Sequence, residues 1–418
     1  MEPEGGPHVL HAMLRRFLTL GRLTVRGPDR LAHTYGDGSG PEVAIRIAKG
    51  WPTRLMLNPD LALGEAYMEE GLTFEQGDIA GLLDIVGRNV LYHRRGHGPV
   101  MRAITHAMSL LGQINDRTRS RRNVAHHYDL SYDLYSRFLD QDMQYSCAYF
   151  LRPDMSLDEA QKAKKVHIAE KLNLQPGMRV LDIGCGWGGL GLELARTYGA
   201  DVTGITLSAE QLAVAQARAQ AEGLQDRARF SLTDYRDVEG PFDRIVSVGM
   251  LEHVGAPNYL TYFETIHRLL AEDGAALVHT IGRRTPPGVT QPWIAKYIFP
   301  GGYIPSLSEV AAPIEQSELW VTDVEVQRLH YAETLRHWRL RFMTRRDEIA
   351  RLYDERFCRM WEFYLALSEV GFRYTGMMIL QFQLAKTVDA LPITRDYMFD
   401  GERERLEPAR AGRSRSAA

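Results

Sequence analysis

Asp182-Ile183-Gly184-Cys185-Gly186-Trp187-Gly188-Gly189 sets four glycines within six positions behind an acidic residue. Val180-Leu181 ahead of it reads as a short buried strand, and the residues after it open a helix. Glycine there tolerates positive φ and lets a ligand approach the backbone, as a nucleotide-type cofactor requires. Two frames fit the loop. Gly184-x-Gly186-x-x-Gly189 matches the dinucleotide fingerprint, a weak signal alone. That ligand needs an acid about 20 residues on, for its ribose. The next apolar run, Asp201–Ile205, ends instead in Thr206-Leu207-Ser208, with Gln211 beyond. The second frame is Asp182-x-Gly184-x-Gly186-x-Gly188, with a carboxylate just ahead of the turn. Three more groups follow apolar runs: Thr233-Asp234-Tyr235, Leu251-Glu252-His253 and His279-Thr280-Ile281. Asp234 could accept from an adenine amino group. Taken singly, Glu252 reads equally well as a helix cap and His279 as a satisfied buried histidine. At adjacent strand ends the two make an acid/base or anion site.

These groups need a scaffold that gathers strand ends. Strands at 178–183, 201–206, 228–232, 243–249 and 275–281 alternate with helices at about 189–198, 208–222 and 257–271. That alternation predicts a parallel sheet wound on both faces, with ligands beyond the carboxyl ends of the strands. The Asp182 frame resembles the first motif of Rossmann-like methyltransferases. Their ligand, S-adenosylmethionine, has no phosphate and carries an ammonium and a sulfonium, so a nearby carboxylate favours it over a dinucleotide. Ahead of the first strand, Val124–Ser131 and Met143–Phe150 cluster aromatic and polar residues suited to a lid. Ser156 and Glu159 form a capping-box pattern that opens a helix to about Asn173.

Past the fifth strand, Arg283–Tyr303 is rich in proline, glycine and aromatics, including Trp293 and Tyr297-Ile298-Phe299-Pro300-Gly301-Gly302. An insertion at this edge covers an active site, and its apolar content suggests an apolar substrate. A strand from Leu319 to Val326 follows. Tyr331 then sits just before a helix, Cys358 lies on a long helix, and Met377–Leu384 reads as the last strand.

The whole chain sets the limits. Its 418 residues suggest two or three domains, and 44% hydrophobic and 25% charged residues are ordinary for a globular protein. A net charge of −3 argues against nucleic-acid binding. No apolar run reaches the ~20 residues of a spanning helix. Met1-Glu2-Pro3-Glu4 does not resemble a secretory signal, and Cys147, Cys185 and Cys358 lack metal-ligand spacing. A cytoplasmic protein without a metal is expected. Residues 1–112 read as a small α+β domain, with strands around Leu23–Val25 and Val43–Ile47 joined by the Gly36–Gly40 turn, and Asn58 capping a helix. From Arg88 to Arg122 eight arginines face one acid, Asp116. Val100, Ile104, Met108, Leu111 and Asn115 share one side of a helix there. The stretch suits an anionic membrane surface or an interdomain linker at 113–122. Residues 123–400 form the catalytic domain, and 401–418, with Arg410, Arg413 and Arg415, read as a disordered tail.

Taken together, Tyr128-Asp129-Leu130-Ser131, Tyr145-Ser146-Cys147-Ala148-Tyr149-Phe150, Leu181–Gly188, Thr206-Leu207-Ser208, Leu251-Glu252-His253, His279-Thr280-Ile281 and Tyr297–Gly302 closely resemble the cyclopropane-fatty-acyl-phospholipid synthases. Mycolic acid cyclopropane synthases share most of this set, which spans about residues 120–390. Gly64-Glu65-Ala66-Tyr67-Met68 resembles the N-terminal domain of the phospholipid-acting members, which the mycolic enzymes lack. The resemblance implies methyl transfer from S-adenosylmethionine to a cis double bond of a phospholipid acyl chain, closed by proton loss to a bound bicarbonate. It implies bicarbonate at Cys147, Glu252, His279, Ile281 and Tyr331, with Cys358 in support. It places Tyr145 and Ser146 over the cofactor, Asp182, Gly184, Gly186 and Gly188 at its methionine part, Thr206, Leu207, Ser208 and Gln211 at the ribose, and Asp234 and Tyr235 at adenine. Peripheral contact with the inner membrane face and homodimerisation are further expectations. A methylene- or methyl-branched product is the nearest alternative.

Overall fold

The computed structural model describes residues 6–92 and 131–406. The arginines from Arg94 to Arg122, the Val124–Leu130 segment and the tail arginines lie outside the described residues. The chain divides into two compact units, Met1–Ile104 with Thr290–Pro300 and Leu335–Met377, and Thr105–Val289 with Gly301–Thr334 and Met378–Ala418.

In the first unit, β1 (Arg22–Arg26), β2 (Ala32–Tyr35), β3 (Glu42–Ile47) and β4 (Leu72–Gln76) form a sheet in the order β2-β1-β3-β4. β1 pairs antiparallel with β2 and parallel with β3. The Gly36–Gly40 turn therefore leads out of β2, and the two strands expected to flank it run parallel. β2 escapes a pattern reading because only Tyr35 of its four residues is buried. Asn58 caps the helix Pro59–Met68, its side chain accepting from Leu61 N at 3.3 Å.

That helix carries the Gly64–Met68 stretch, whose contacts are structural. Gly64 has no Cβ, and one would lie 2.5 Å from Trp293 Cδ1 and 2.8 Å from Phe363 Cε1. Trp293 is fully buried there, edge-on to Phe363 at 4.6 Å between ring centroids. Glu65 accepts from Arg54 (2.6 Å), Lys296 (2.7 Å) and the Tyr297 hydroxyl (2.9 Å). Tyr67 donates to Glu362 at 2.7 Å. The apolar content of the 283–303 insertion thus goes in part into the core of this unit, and Trp293 is a packing residue.

There, β5 (Arg179–Ile183), β6 (Asp201–Thr206), β7 (Ala228–Leu232), β8 (Phe242–Val248), β9 (Leu270–Arg283), β10 (Trp320–Gln327) and β11 (Met377–Ala385) form one sheet in the order β10-β11-β9-β8-β5-β6-β7. The β9-β8-β5-β6-β7 part is parallel, and β10 runs antiparallel to β11. Helices Gly189–Tyr198, Ala209–Ala221 and Tyr259–Leu269 fall where the alternation places them. One core packs Leu181, Ile245, Tyr262, Phe263 and Leu380; the other packs Ile168, Leu192, Val202, Phe230 and Leu277. The sheet is thereby buried on both faces, which is why its strands read as continuous apolar runs. Residues 401–406 correct the expected disordered tail: they finish the helix Asp396–Leu406, which buries Met398 and Glu402. Glu402 bonds His167, and Arg405 bonds Glu170 at 2.8 Å.

Candidate active site

Strand order decides which side chains meet. β5 lies between β6 and β8, so the glycine loop leaves the middle of the parallel sheet. Gly184 N and Cys185 N donate to Ile205 O at 2.9 and 3.0 Å, tying the loop to β6. Gly184, Gly186 and Gly188 all take positive φ. A Cβ on Gly186 would meet nothing within 4 Å, so its backbone faces space that a ligand can use. Gly189 opens the following helix, but a Cβ there would lie 2.5 Å from Gln144 Nε2 and 2.6 Å from Asp142 O. That helix N-terminus is covered by chain, whereas a pyrophosphate needs its amides bare. The loop therefore favours a ligand without phosphate.

Asp182 is buried, and its Oδ2 has no hydrogen-bond partner among the described residues. Burial pushes its carboxyl up to about 7, against the pull of the Lys164 cation. An orphaned, buried carboxylate beside an open glycine backbone fits the cationic groups of S-adenosylmethionine. Tyr145 stands edge-on to Tyr135 at 5.0 Å, and Tyr135 packs on Trp187 of the loop at 4.9 Å.

The segment from Gln144 to Phe150 is held by the helix Leu157–Lys171, opened by the expected Ser156–Glu159 capping box. Gln161 Nε2 donates to Ser146 O at 2.9 Å. Lys164, fully buried, donates to Ser146 Oγ at 2.9 Å and to Gln144 Oε1. Burial lowers the Lys164 ammonium to about 8, despite the nearby Asp140. On the other side, Ala148 N donates to Thr334 Oγ1 and Phe150 N to His330 Nδ1, both at 3.0 Å. Cys147 and the first turn of the helix that carries Tyr331 are thus tied along one seam. The Cys147 thiol donates to Ala148 O at 3.3 Å, and burial raises its pKa well above the usual range. Burial thus favours the neutral thiol, and only a thiolate is a nucleophile.

Glu252 reaches the end of the strand that carries His279. Val248 pairs with His279 across β8 and β9. Glu252 Oε1 accepts from Ile281 N at 2.6 Å, so that backbone donor is engaged by the carboxylate. Glu252 Oε2 is buried without a partner among the described residues. Burial pushes the Glu252 carboxyl up to about 7, although the Ile281 hydrogen bond opposes this. His279 is buried and held down to about 3, so it is neutral. A carboxyl poised near neutrality can accept, hold or pass a proton.

Other candidates are arranged less simply. Thr206 Oγ1 donates to Gln211 Oε1 at 2.9 Å, and Ser208 caps the helix Ala209–Ala221. Leu207 lies between them. Both Asp234 oxygens accept from Arg236, at 2.6 and 2.8 Å, so a ligand would share them. Tyr235 turns its ring into the core, edge-on to Tyr262 at 5.3 Å. Cys358 belongs to the first unit, where its thiol faces Arg346 O at 3.8 Å. A cleft of about 810 Å³ lined by Asp140, Asp142, Lys165, Glu193, Arg196 and Arg405 lies elsewhere on the second unit and includes none of the strand-end residues. Gln161, Lys164 and Lys171 give no sequence signal: the helix DEAQKAKKVHIAEK reads as a solvated surface, and its partners are distant in the chain.

The mycolic acid cyclopropane synthetase model matches residues 115–382. This chain belongs to that family. Membership makes it an enzyme of the S-adenosylmethionine-dependent methyltransferase class. Residues 9–91 match a domain of unknown function, DUF7884. The cyclopropane-fatty-acyl-phospholipid synthase of Escherichia coli is 41% identical over 354 residues, 84% of this chain and 90% of that one. A tuberculostearic acid methyltransferase of Mycobacterium tuberculosis is 37% identical over 393 residues, 90% of this chain and 91% of that one. Among solved structures, the mycolic acid cyclopropane synthase CmaA1 complexed with SAH and CTAB superposes with a TM-score of 0.61 at 35% identity. It covers 65% of this family member and 99% of its own chain.

Proposed function

We propose that the chain is a cyclopropane-fatty-acyl-phospholipid synthase, acting at the inner face of the membrane on a cis double bond of a phospholipid acyl chain. The observation that carries this is similarity to the Escherichia coli synthase over 84% of the chain, where the mycolic structure covers 65%. S-adenosylmethionine supplies the methyl group, which the alkene π electrons attack. The products are a cyclopropane lipid, S-adenosylhomocysteine and a proton. An alkene is a weak nucleophile, so the enclosure must position it and exclude water. Asp182 would face the cofactor's cations, and Tyr145 and Ser146 would close over it. Bicarbonate, held by Cys147, Glu252, His279, the Ile281 region and Tyr331, would supply the base. Glu252 keeps one oxygen for that anion site and anchors the other on Ile281 N. The lipid contact proposed is peripheral, and no described helix is long and apolar enough to cross a membrane.

The similarity to a tuberculostearic acid methyltransferase favours a second ending, in which the same methylation leaves a methylene- or methyl-branched chain. Mass spectrometry and olefin NMR of monounsaturated phospholipid vesicles, incubated with protein and S-adenosylmethionine, separate the endings. Gain of CH2 with loss of the olefin and a cyclopropyl signal supports the synthase. Gain of CH2 with the olefin retained supports methylenation, and a gain of two further hydrogens only when a hydride donor such as a reduced nicotinamide is added supports methyl branching. No gain on any alkene lipid, with cofactor bound, refutes both.

A further inference from the structure

The buried polar face of the Leu157–Lys171 helix continues beyond Lys164 to His167 and Lys171, which the reaction outlined above does not use. Lys171 Nζ donates to Gln381 Oε1 at 3.0 Å, and Gln381 Nε2 lies 3.0 Å from His279 Nδ1. Gln381 is fully buried, and Lys171 and His279 nearly so. An ammonium has three donors and no acceptor, so the Gln381 atom facing Lys171 must be the amide oxygen. The amide nitrogen then faces His279, and an amide nitrogen only donates. Nδ1 must accept, which leaves the ring proton on Nε2.

We propose that Gln381, gripped by Lys171, is a positioning residue that sets His279 in the Nε2–H form, so that the imidazole offers its outward nitrogen as a donor to the anion site. The inference rests on the anion site of the proposed function. What grips Lys171 is a chain of alternating charge. Its ammonium pairs with Glu325, Glu325 Oε2 lies 2.7 Å from His167 Nε2, and His167 Nδ1 pairs with Glu402. Burial opposes a charge on His167, but the Glu325 and Glu402 carboxylates outweigh it and hold its pKa above the usual value. Two cations and two carboxylates then balance. The chain joins the Asp396–Leu406 helix, β10, the Leu157–Lys171 helix and β11 to β9 within the second unit. The amide at 381 is essential to this device. A carboxylate there would accept from Nδ1–H, turning the Nε2 lone pair toward an anion or charging the ring.

The test is 15N NMR of the full chain labelled at histidine, with His279→Gln used only to assign the signal, alongside turnover and S-adenosylmethionine affinity. Wild type should show a neutral His279 protonated at Nε2. Gln381→Glu should move the proton to Nδ1 or add a second, and lower turnover about 100-fold with cofactor affinity unchanged. Gln381→Leu, which adds no charge, should give mixed tautomers and a smaller loss, about tenfold. A wild-type ring protonated at Nδ1 overturns the proposal. Full turnover in Gln381→Glu after the proton has moved also overturns it. Absence of lipid product from the wild-type chain refutes the proposed function instead, and the wild-type tautomer then decides the Gln381 assignment by itself.

Discussion

Glu252 has one carboxylate oxygen anchored on Ile281 N and the other unpartnered among the described residues. Glu252→Gln keeps the shape and removes the charge. Cofactor affinity should stay within about twofold while turnover falls at least about 100-fold, as expected for lost acid/base function. Equal losses in titration calorimetry and turnover would place Glu252 at the cofactor. Asp182 makes a pH prediction. Its folded pKa of about 7 lies above its ordinary value, so ionisation opposes folding, and the associated stability declines as pH rises through the window ending near 7. Cofactor binding has the opposite sign, because the ionised carboxylate attracts the ligand's cations. Affinity should rise with pH up to about 7, by at most about tenfold per unit. Asp182→Asn should flatten that slope in calorimetry. A slope remaining near 8 would belong to Lys164, which loses its charge there.

β6 and the Leu157–Lys171 helix show how elements aim these side chains. Gly204 of β6 lies under Phe230 and Cys185: a Cβ would come within 2.6 Å of Phe230 Cε1 and 3.0 Å of Cys185 Cβ. Gly204→Ala should cost about 1–3 kcal/mol by overpacking and lower the Tm by several degrees in calorimetry, with the glycine loop displaced alongside it. An unchanged Tm would mean that Phe230 swings aside freely. The helix does its aiming through polar contacts, with Gln161 and Lys164 on the 144–146 segment and Lys171 on Gln381. Its buried lysines are tolerated because every ammonium has an acceptor or a carboxylate within reach.

At the scale of the whole molecule, the first unit is built from three separate stretches of chain. Residues 1–104 cover Trp293 and engage Glu362, Lys296 and Tyr297 within it. A chain of residues 105–418 would expose that apolar surface and leave Glu362 without Tyr67. It should therefore be less soluble and melt lower than the full chain, although 65% of the sequence suffices to match the mycolic structure. An equally soluble and stable truncation would show that the later stretches repack alone. The arginine stretch makes a separate prediction, from composition. Replacing Arg117, Arg119, Arg121 and Arg122 with Gln should weaken binding to anionic vesicles at low salt, by about 1 kcal/mol per arginine in contact. Sedimentation with vesicles that shows no change would make the stretch a linker.

Local chemistry determined what the sequence could reveal. The alternation of apolar runs and helices marked five parallel strands, and the acid-then-glycine spacing marked the loop that we propose holds the cofactor. Both depend on neighbours in the chain, and the pairing of β8 with β9 sets Val248 beside His279, with Glu252 bonded to Ile281 N two residues further on. Tertiary structure decided the rest. Trp293, read as part of a substrate cover, packs on Gly64, because a distant missing side chain makes room for it. Residues 401–406, polar enough to read as tail, are helical because Glu402 meets His167, 235 positions away. Gln381 and Lys171 carried no mark at all. A buried amide or ammonium gains its role only from partners that the folded chain supplies, and no local pattern encodes them.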